Sequence, residues 1–495
     1  MKYLQGKYFI AMLGMGLLLA GCKKDFLDVN DDPNRVTDAT VTAELIFPQA
    51  AHNVGVRMAS NNISFAENWM GYWAPSGDYA INQTETTYNI DFNFGNTLWQ
   101  NNYDVLYDLY LTKVKAQAAG NNVLAGAAMI LSARLFQDLV DIFGDLPYSQ
   151  AFQNNKYTTP VYDKAQDVYA ALNQSLDSAI IYMHETGTAS FASADIIAHG
   201  DQTKWIKFAN TLKLRLLIRQ SQVQGFDPAA DAAKIVSEGG VLHEGESMMV
   251  NPGYTNATSK QSPFYAFFGF TPTGAEASPA TRANQYFVGI LTSNSDPRLA
   301  RFFAAPVAGG AIAGNTYGLA AGNPPGRNTS NFGPGLVASA SQSQWIFTSF
   351  ESMFLEAEAI ARGWLPGDAE TAYEAAVTES FVWLGVPSAS SAAATYLSNA
   401  NIANWANAGT TADEQAKFIS FQKYISLCGI DPIEAWSDQR RLNMMPDDGY
   451  ISVNPGRISN TLPVRLLYAQ SEYTNNGNNT PKGIDQFTSK LFWQP

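Results

Sequence analysis

The chain has 495 residues, room for two or three domains or for one large helical array. Its 31 Lys and Arg stand against 44 Asp and Glu, and the resulting formal charge of −13 would repel the phosphate backbone of a nucleic acid. Charged residues make up only 15% of the chain and aromatic residues 12%, so the surface is neutral-polar and rich in rings; two cysteines, Cys22 and Cys428, are too few for a disulfide framework or a cysteine-based zinc site.

The N-terminus sets the compartment. Lys2 and Lys7 precede an apolar run from Tyr8 to Ala20, shorter than the roughly 20 residues that span a bilayer, as in a signal peptide. Leu19-Ala20-Gly21-Cys22 resembles the bacterial lipobox, in which the cysteine is lipidated and becomes N-terminal after cleavage. Residues 1–21 are therefore expected to be removed, and Cys22 to carry a lipid anchor. Residues 22–40 form a polar tether with a turn at Asp31-Asp32-Pro33-Asn34. Lys23 stands where an Asp would resemble an inner-membrane retention signal, so the outer membrane is the expected destination. Acyl chains bury about 0.8 kcal/mol per CH₂, and two or more give stable anchoring without a membrane-spanning helix.

Apolar residues then recur at three- and four-residue spacing over 42–59, 97–119, 123–142, 162–183, 203–222 and 228–238, predicting amphipathic helices. Between about 241 and 343 the pattern breaks into Gly, Pro, Ser and Asn with interspersed aromatics, apart from a helical stretch near 280–292. A loop-rich stretch of this length is usually functional. Helical spacing returns at 344–362, 368–384, 412–427 and 431–444, the last opening on Asp431-Pro432 as N-cap and first turn. Residues 351–381 read as helix, turn, helix, with Ala357, Ala361, Ala372 and Ala376 allowing close approach, a pattern that resembles a tetratricopeptide hairpin. The pair 123–142 and 162–183 reads as a second copy. The expected architecture is thus mainly α: a helical-hairpin scaffold over about 41–240 and 344–445, holding a loop-rich insertion over about 241–343.

Several segments together resemble the SusD/RagB family of Bacteroidetes surface lipoproteins. They are LVDIFGDLPYSQA at 139–151, DQTKWIKFANTLKLRLLIR at 201–219, NSDPRL at 294–299, FLEAEAIARG at 354–363, EAWSDQRR at 434–441 and LPVRLLYAQSEYTNN at 462–476, after CKKDFLDVNDDPN at the lipobox. The resemblance covers nearly the whole mature chain. It implies a SusD-like domain over 41–495 that takes part in nutrient uptake, partnered by a SusC-like TonB-dependent transporter, with an oligosaccharide or peptide as ligand and no cofactor.

Chemistry-bearing residues are sparse. The histidines, His52, His184, His199 and His243, form no HExxH or other metal pair, and no GxSxG, P-loop or nicotinamide fingerprint occurs. Glu351 with Glu356, or Asp447 with Asp448, would have to converge at about 5 Å with one raised pKa to act as a retaining glycosidase pair, and nothing in the spacing marks that. Asp141 and Asp145 around Gly144 are expected to bond local amides, Arg440 and Arg441 to pair with Glu434 and Asp438 on their own helix, and Cys428 to be a small buried hydrophobe.

The aromatic groups carry the binding expectation. Trp69, Tyr72, Trp73 and Tyr79 fall in ENWMGYWAPSGDYAINQ, and Phe264, Tyr265, Phe267 and Phe268 in SPFYAFFGF, both interrupted by turn formers. Ring faces stack on sugars or peptide side chains while neighbouring amides bond hydroxyls; anchoring the loops to the core competes with that role. Trp73 and Tyr265 lead the set. A receptor needs only such stacking and hydrogen bonds, whereas the alternative, a surface glycan-processing enzyme, needs a convergent acid and base. The expected protein is a non-enzymatic, lipid-anchored, surface-exposed receptor that captures a glycan and lids its transporter, with a peptide receptor as the second reading.

Overall fold

The computed structural model describes residues 41–319 and 322–495; the expected signal peptide, Cys22 and the expected tether lie outside them. The longer helices are α1 (Ala43–Ala59), α2 (Asn96–Ala118), α3 (Asn122–Phe143), α4 (Ala165–Met183), α5 (Gln202–Arg219), α6 (Ala229–Ser237), α7 (Gln285–Ser293), α8 (Ser349–Ala361), α9 (Ala369–Trp383), α10 (Ala389–Asn399), α11 (Ala412–Ser426) and α12 (Pro432–Leu442). Two short antiparallel pairs complete the framework, β1 (Trp73–Pro75) with β3 (Thr281–Ala283) and β2 (Met248–Val250) with β4 (Gln344–Phe347).

The scaffold follows from the periodicity. α3 packs against α2 and α4, and α8 against α9 and α11. Gly126 permits the α3–α4 approach, since a Cβ there would lie 3.1 Å from the Ala179 carbonyl oxygen and 3.3 Å from Met183 Cε. In the second hairpin Phe354, Ala357, Tyr373, Ala376 and Phe381 are fully buried. α3 is long and apolar enough to cross a membrane, yet it carries Arg134, Asp138 and Asp141 and is buried in protein.

Several features depart from the expected elements, among them the helical stretch near 280–292, which opens on β3 and becomes helical only from Gln285. Residues 344–362 are not one helix: Gln344–Phe347 form β4, Thr348 stands extended between them, and α8 starts at Ser349. Gln-Trp-Ile-Phe is buried on both faces, and a short apolar run of that kind fits helix and strand periodicity alike. α10 was not expected, because its Ala- and Ser-rich sequence carries little apolar periodicity; Ala393, Tyr396 and Leu397 are its buried side.

A buried charge network ties the scaffold together. Arg134 of α3 contacts Asp138 and the cap residue Asp431. From α5, Arg215 bonds Glu434 (Nε–Oε2, 2.8 Å) and Arg219 bonds Asp141 (Nε–Oδ2, 3.0 Å) and Glu434. Lys423 of α11 reaches Glu434 (2.7 Å) and Asp438 (2.8 Å), and Arg441 reaches Asp438 and Glu358. The loop-rich insertion is clipped on by Arg298, which pairs with Asp296 and donates to Ser380 of α9 and Ser426 of α11 at 3.0 Å.

Asp431 caps α12 as expected, accepting from the Glu434 amide, with Pro432 in the first turn. Gly144 ends α3 at φ +81°, which favours glycine. Asp145 accepts from the Ala165 amide (2.9 Å), but Asp141 is not a local amide acceptor: it is buried and takes bonds from Tyr169, Arg219 and Trp493. Among the described residues Arg440 likewise pairs with no carboxylate of its own helix; it donates to the carbonyls of Asp141 and Val464 and lies 3.7 Å over the Trp436 ring. Cys428 is fully buried.

Candidate functional site

The two aromatic segments do meet in space, but through the core. β1 pairs with β3, and the Trp73 ring lies 4.9 Å from both Phe268 and Phe332, with Phe264 5.0 Å from Phe268. Trp69 packs edge-on to Phe65 and Trp436. Tyr72 stacks on Tyr424 at 4.6 Å and donates its hydroxyl to the Tyr424 carbonyl. Trp69, Tyr72, Trp73, Phe264 and Phe268 are at most 4% exposed. These five rings offer no face to a ligand; the expectation that they line a binding surface is corrected to one of anchoring loops, because large apolar rings gain most from leaving water.

Three of the chosen rings remain accessible. Tyr79 is 47% exposed on the 76–82 loop, which is pinned by Gly77 N to the Pro324 carbonyl (3.0 Å) and by Asp78 Oδ2 to the Gly326 amide (2.7 Å). Residues Pro263–Phe268 form a short helix. It turns Phe264 and Phe268 inward and leaves Tyr265 and Phe267 half-buried; Tyr265 lies 6.3 Å from the exposed Phe270 ring.

Phe267 lines a cleft of about 580 Å³ between α1 and the 252–267 segment, with Gln49, His52, Tyr254, Lys260 and Gln261. Asn251 shapes its rim by accepting the amides of Gly253 (2.9 Å) and Tyr254 (3.0 Å), and Gly253 takes φ +99°. His52 Nδ1 and the Tyr254 hydroxyl lie 2.9 Å apart. Burial lowers the His52 pKa below its ordinary value and raises that of Tyr254, so both are neutral at pH 7. Among the described lining residues, Lys260 alone is charged. Such a cleft can seat a hydroxyl- or amide-rich ligand on a ring edge.

Among the described residues no carboxylate pair converges in this cleft. Glu351 faces Arg215 in the buried network, whereas Glu356 lies 3.7 Å from His243 Nδ1; Asp447 and Asp448 occupy an exposed turn. Among the described residues no group of three or more His, Cys, Asp or Glu side chains could hold a metal ion.

A second cleft, of about 540 Å³, opens beside α2 between Tyr107, Phe152 and Glu472. It escaped sequence reasoning because Trp99, Tyr103, Tyr107 and Tyr110 recur at helical spacing, which reads as a core-facing stripe.

Comparison with known proteins places the fold. The sequence profile of a SusD-like family, described as starch-binding and associating with the outer membrane, matches residues 33–469. No curated protein matches the chain in sequence. Among solved structures, a chitin-binding SusD homologue from Flavobacterium johnsoniae superposes with a TM-score of 0.74 at 22% identity, covering 90% of this chain and 98% of that one. A SusD-like protein from Bacteroides thetaiotaomicron gives 0.72 at 25% identity, over 90% and 98%, and a SusD homologue from Bacteroides fragilis 0.73 at 21%, over 92% and 99%. With its mainly helical scaffold and a profile match across most of its length, the chain belongs to the SusD-like family.

Proposed function

We propose that the chain is a non-enzymatic receptor of the bacterial outer membrane: it captures a glycan at the cell surface and hands it to a SusC-like TonB-dependent transporter, over which it acts as a lid. The observation that carries this is the family match over residues 33–469. The cleft at Phe267 supports the ligand class, because hydrogen-bonding amides and hydroxyls beside a ring suit a sugar, and no acid–base pair lines it among the described residues. The chitin-binding relative from Flavobacterium johnsoniae shows that the same fold serves glycan capture elsewhere. A lipid at Cys22 holds the receptor at the membrane, and transfer of cargo then needs a barrel partner.

A permanent complex of this kind buries on the order of 2,000 Å² or more. Purification from native membranes in mild detergent should recover the chain together with a large β-barrel protein, and calorimetry should show binding of chito- or malto-oligosaccharides. Repeated recovery without a barrel would remove the transporter role. Binding of peptides in place of glycans would move the ligand to the second reading.

A further inference from the structure

The cleft beside α2 has the chemistry of a ligand site in its own right. The Tyr107 ring is 41% exposed at its mouth, and Trp99, nearly buried, lies at its floor with Tyr103. Phe152 forms the wall shared with an adjoining cavity and packs 6.0 Å from Tyr103, 5.9 Å from Tyr107 and 5.5 Å from Tyr110. Its backbone sits at φ +65°, a region that bulky residues avoid and that persists where surrounding contacts impose it. A glycine would meet that backbone demand without strain; the phenylalanine keeps a ring in the wall.

Polar groups complete the site. Glu472 is fixed from both sides: Oε1 accepts from Trp99 Nε1 at 3.2 Å and Oε2 from the Tyr162 hydroxyl at 2.8 Å. Each carboxylate oxygen accepts about two hydrogen bonds, so each keeps capacity for a ligand hydroxyl. Among the described residues Glu472 pairs with no cation, and none of those lining the cleft is Lys or Arg. Asp104, whose charge Arg57 partly offsets, adds a second carboxylate. Two carboxylates without a lining cation oppose an anionic ligand, and oriented acceptors beside exposed ring surface suit a neutral polyol. The segment that carries Glu472 is secured to the 159–160 loop by Asn476 and Asn479, whose amides donate to the Pro160 and Thr159 carbonyls at 2.8 and 2.9 Å. A volume of about 540 Å³ falls within the roughly 300–1,000 Å³ of small-molecule sites.

We infer that the Tyr107–Phe152–Glu472 cleft is a second saccharide site, selective for a neutral oligosaccharide segment and separate from the Phe267 cleft. The ligand class rests on the glycan reading above; the location rests on this cleft alone.

The test is isothermal titration of the full chain with chitotetraose, maltotetraose and the anionic tetragalacturonate, beside Tyr107→Ala, Tyr107→Phe, Glu472→Gln and Phe267→Ala variants. At least one neutral probe should bind at two sites per chain. Tyr107→Ala and Glu472→Gln should each weaken one site tenfold or more and leave the other, Tyr107→Phe should bind as the parent does, and Phe267→Ala should weaken only the other site. Thermal melting checks that each variant is folded; Tyr107→Phe separates loss of a ring from loss of the fold. Parent-like binding by Tyr107→Ala and Glu472→Gln overturns the second site while leaving the receptor reading intact. Equal binding of tetragalacturonate at the Tyr107 site also overturns it. Failure of the parent to bind any glycan overturns the receptor reading itself. A barrel protein that protects this cleft from the probe, with no saccharide bound there, would assign it to the partner instead.

Discussion

Arg441 holds Glu358 in a two-point grip, Nη1 to Oε1 at 2.5 Å and Nη2 to Oε2 at 2.7 Å, with both side chains buried. The pair joins α12 to α8, and Asp438 binds the same guanidinium. Segments far apart in sequence thus supply one another's counter-charges: LVDIFGD gives Asp141, KLRLLIR gives Arg215 and Arg219, FLEAEAIARG gives Glu358, and EAWSDQRR gives Glu434, Asp438 and Arg441.

Removing one member should cost far more than removing both. Glu358→Gln leaves the buried Arg441 with Asp438 alone, and Arg441→Met leaves Glu358 with Arg362 alone, so each is expected to lower stability by up to about 3–5 kcal/mol. A double Glu358→Met, Arg441→Leu variant should lose less than either single change. Urea denaturation of all three, read as midpoint shifts at constant slope, checks this; additive losses would show that the two residues act independently.

The network also fixes an acid limit. Burial alone would raise Glu358, but Arg441 and Arg362 overcome it and hold the carboxyl at about 2, below its ordinary 4.5. Glu434 is likewise held well below that value once Arg215, Arg219 and Lys423 outweigh its burial. A folded-state pKa below the unfolded one gives stability that is complete above about 4.5 and is lost as pH falls toward 2. For Glu358 alone that is roughly 3 kcal/mol. Glu351 runs oppositely: burial, then Asp431, push it up, so its contribution is present at low pH and declines as pH rises. Denaturation midpoints should therefore fall steeply between pH 4.5 and 2, and Glu358→Gln should flatten that slope. An unchanged slope would sink the assignment.

The scaffold was legible because it depends on periodicity. α1 to α5 and α11 lie within a few residues of the runs that predict them, since a 3.6-residue repeat reports directly which face is buried. The same signal concealed the second cleft, because a stripe of Trp99, Tyr103, Tyr107 and Tyr110 looks alike whether it faces a core or a cavity. Turn-forming neighbours misplaced Trp69, Tyr72 and Trp73 at the surface. Gly71 does make the turn, at φ +73°, but it directs the chain so that the rings enter the core. The motif residues were conspicuous in sequence as charges, and their counter-charges, supplied by remote helices, could not be read from local spacing.

The membrane anchor proposed at Cys22 gives a separate prediction, outside the described residues. Cys22→Ser should abolish acyl labelling and release the chain from membranes, since stable attachment without a membrane-spanning helix needs two or more acyl chains. Fractionation with metabolic palmitate labelling checks it, and unchanged labelling would exclude the lipobox assignment.

Trp73 and Phe267 separate loop anchoring from ligand contact. Trp73 is 1% exposed and wedged between Phe268 and Phe332 at 4.9 Å from each, so Trp73→Ala opens a cavity at the β1–β3 junction and should cost about 3–5 kcal/mol. Phe267 is half-buried in the wall of its cleft, and truncating it removes fewer core contacts. Phe267→Ala should cost no more than about 1 kcal/mol while weakening glycan binding at that cleft tenfold or more. Thermal melting and calorimetry on the same preparations distinguish the two roles. A Trp73→Ala protein that melts with the parent but loses ligand would return Trp73 to the binding surface. A Phe267→Ala protein that binds with parental affinity would remove the α1 cleft from the site.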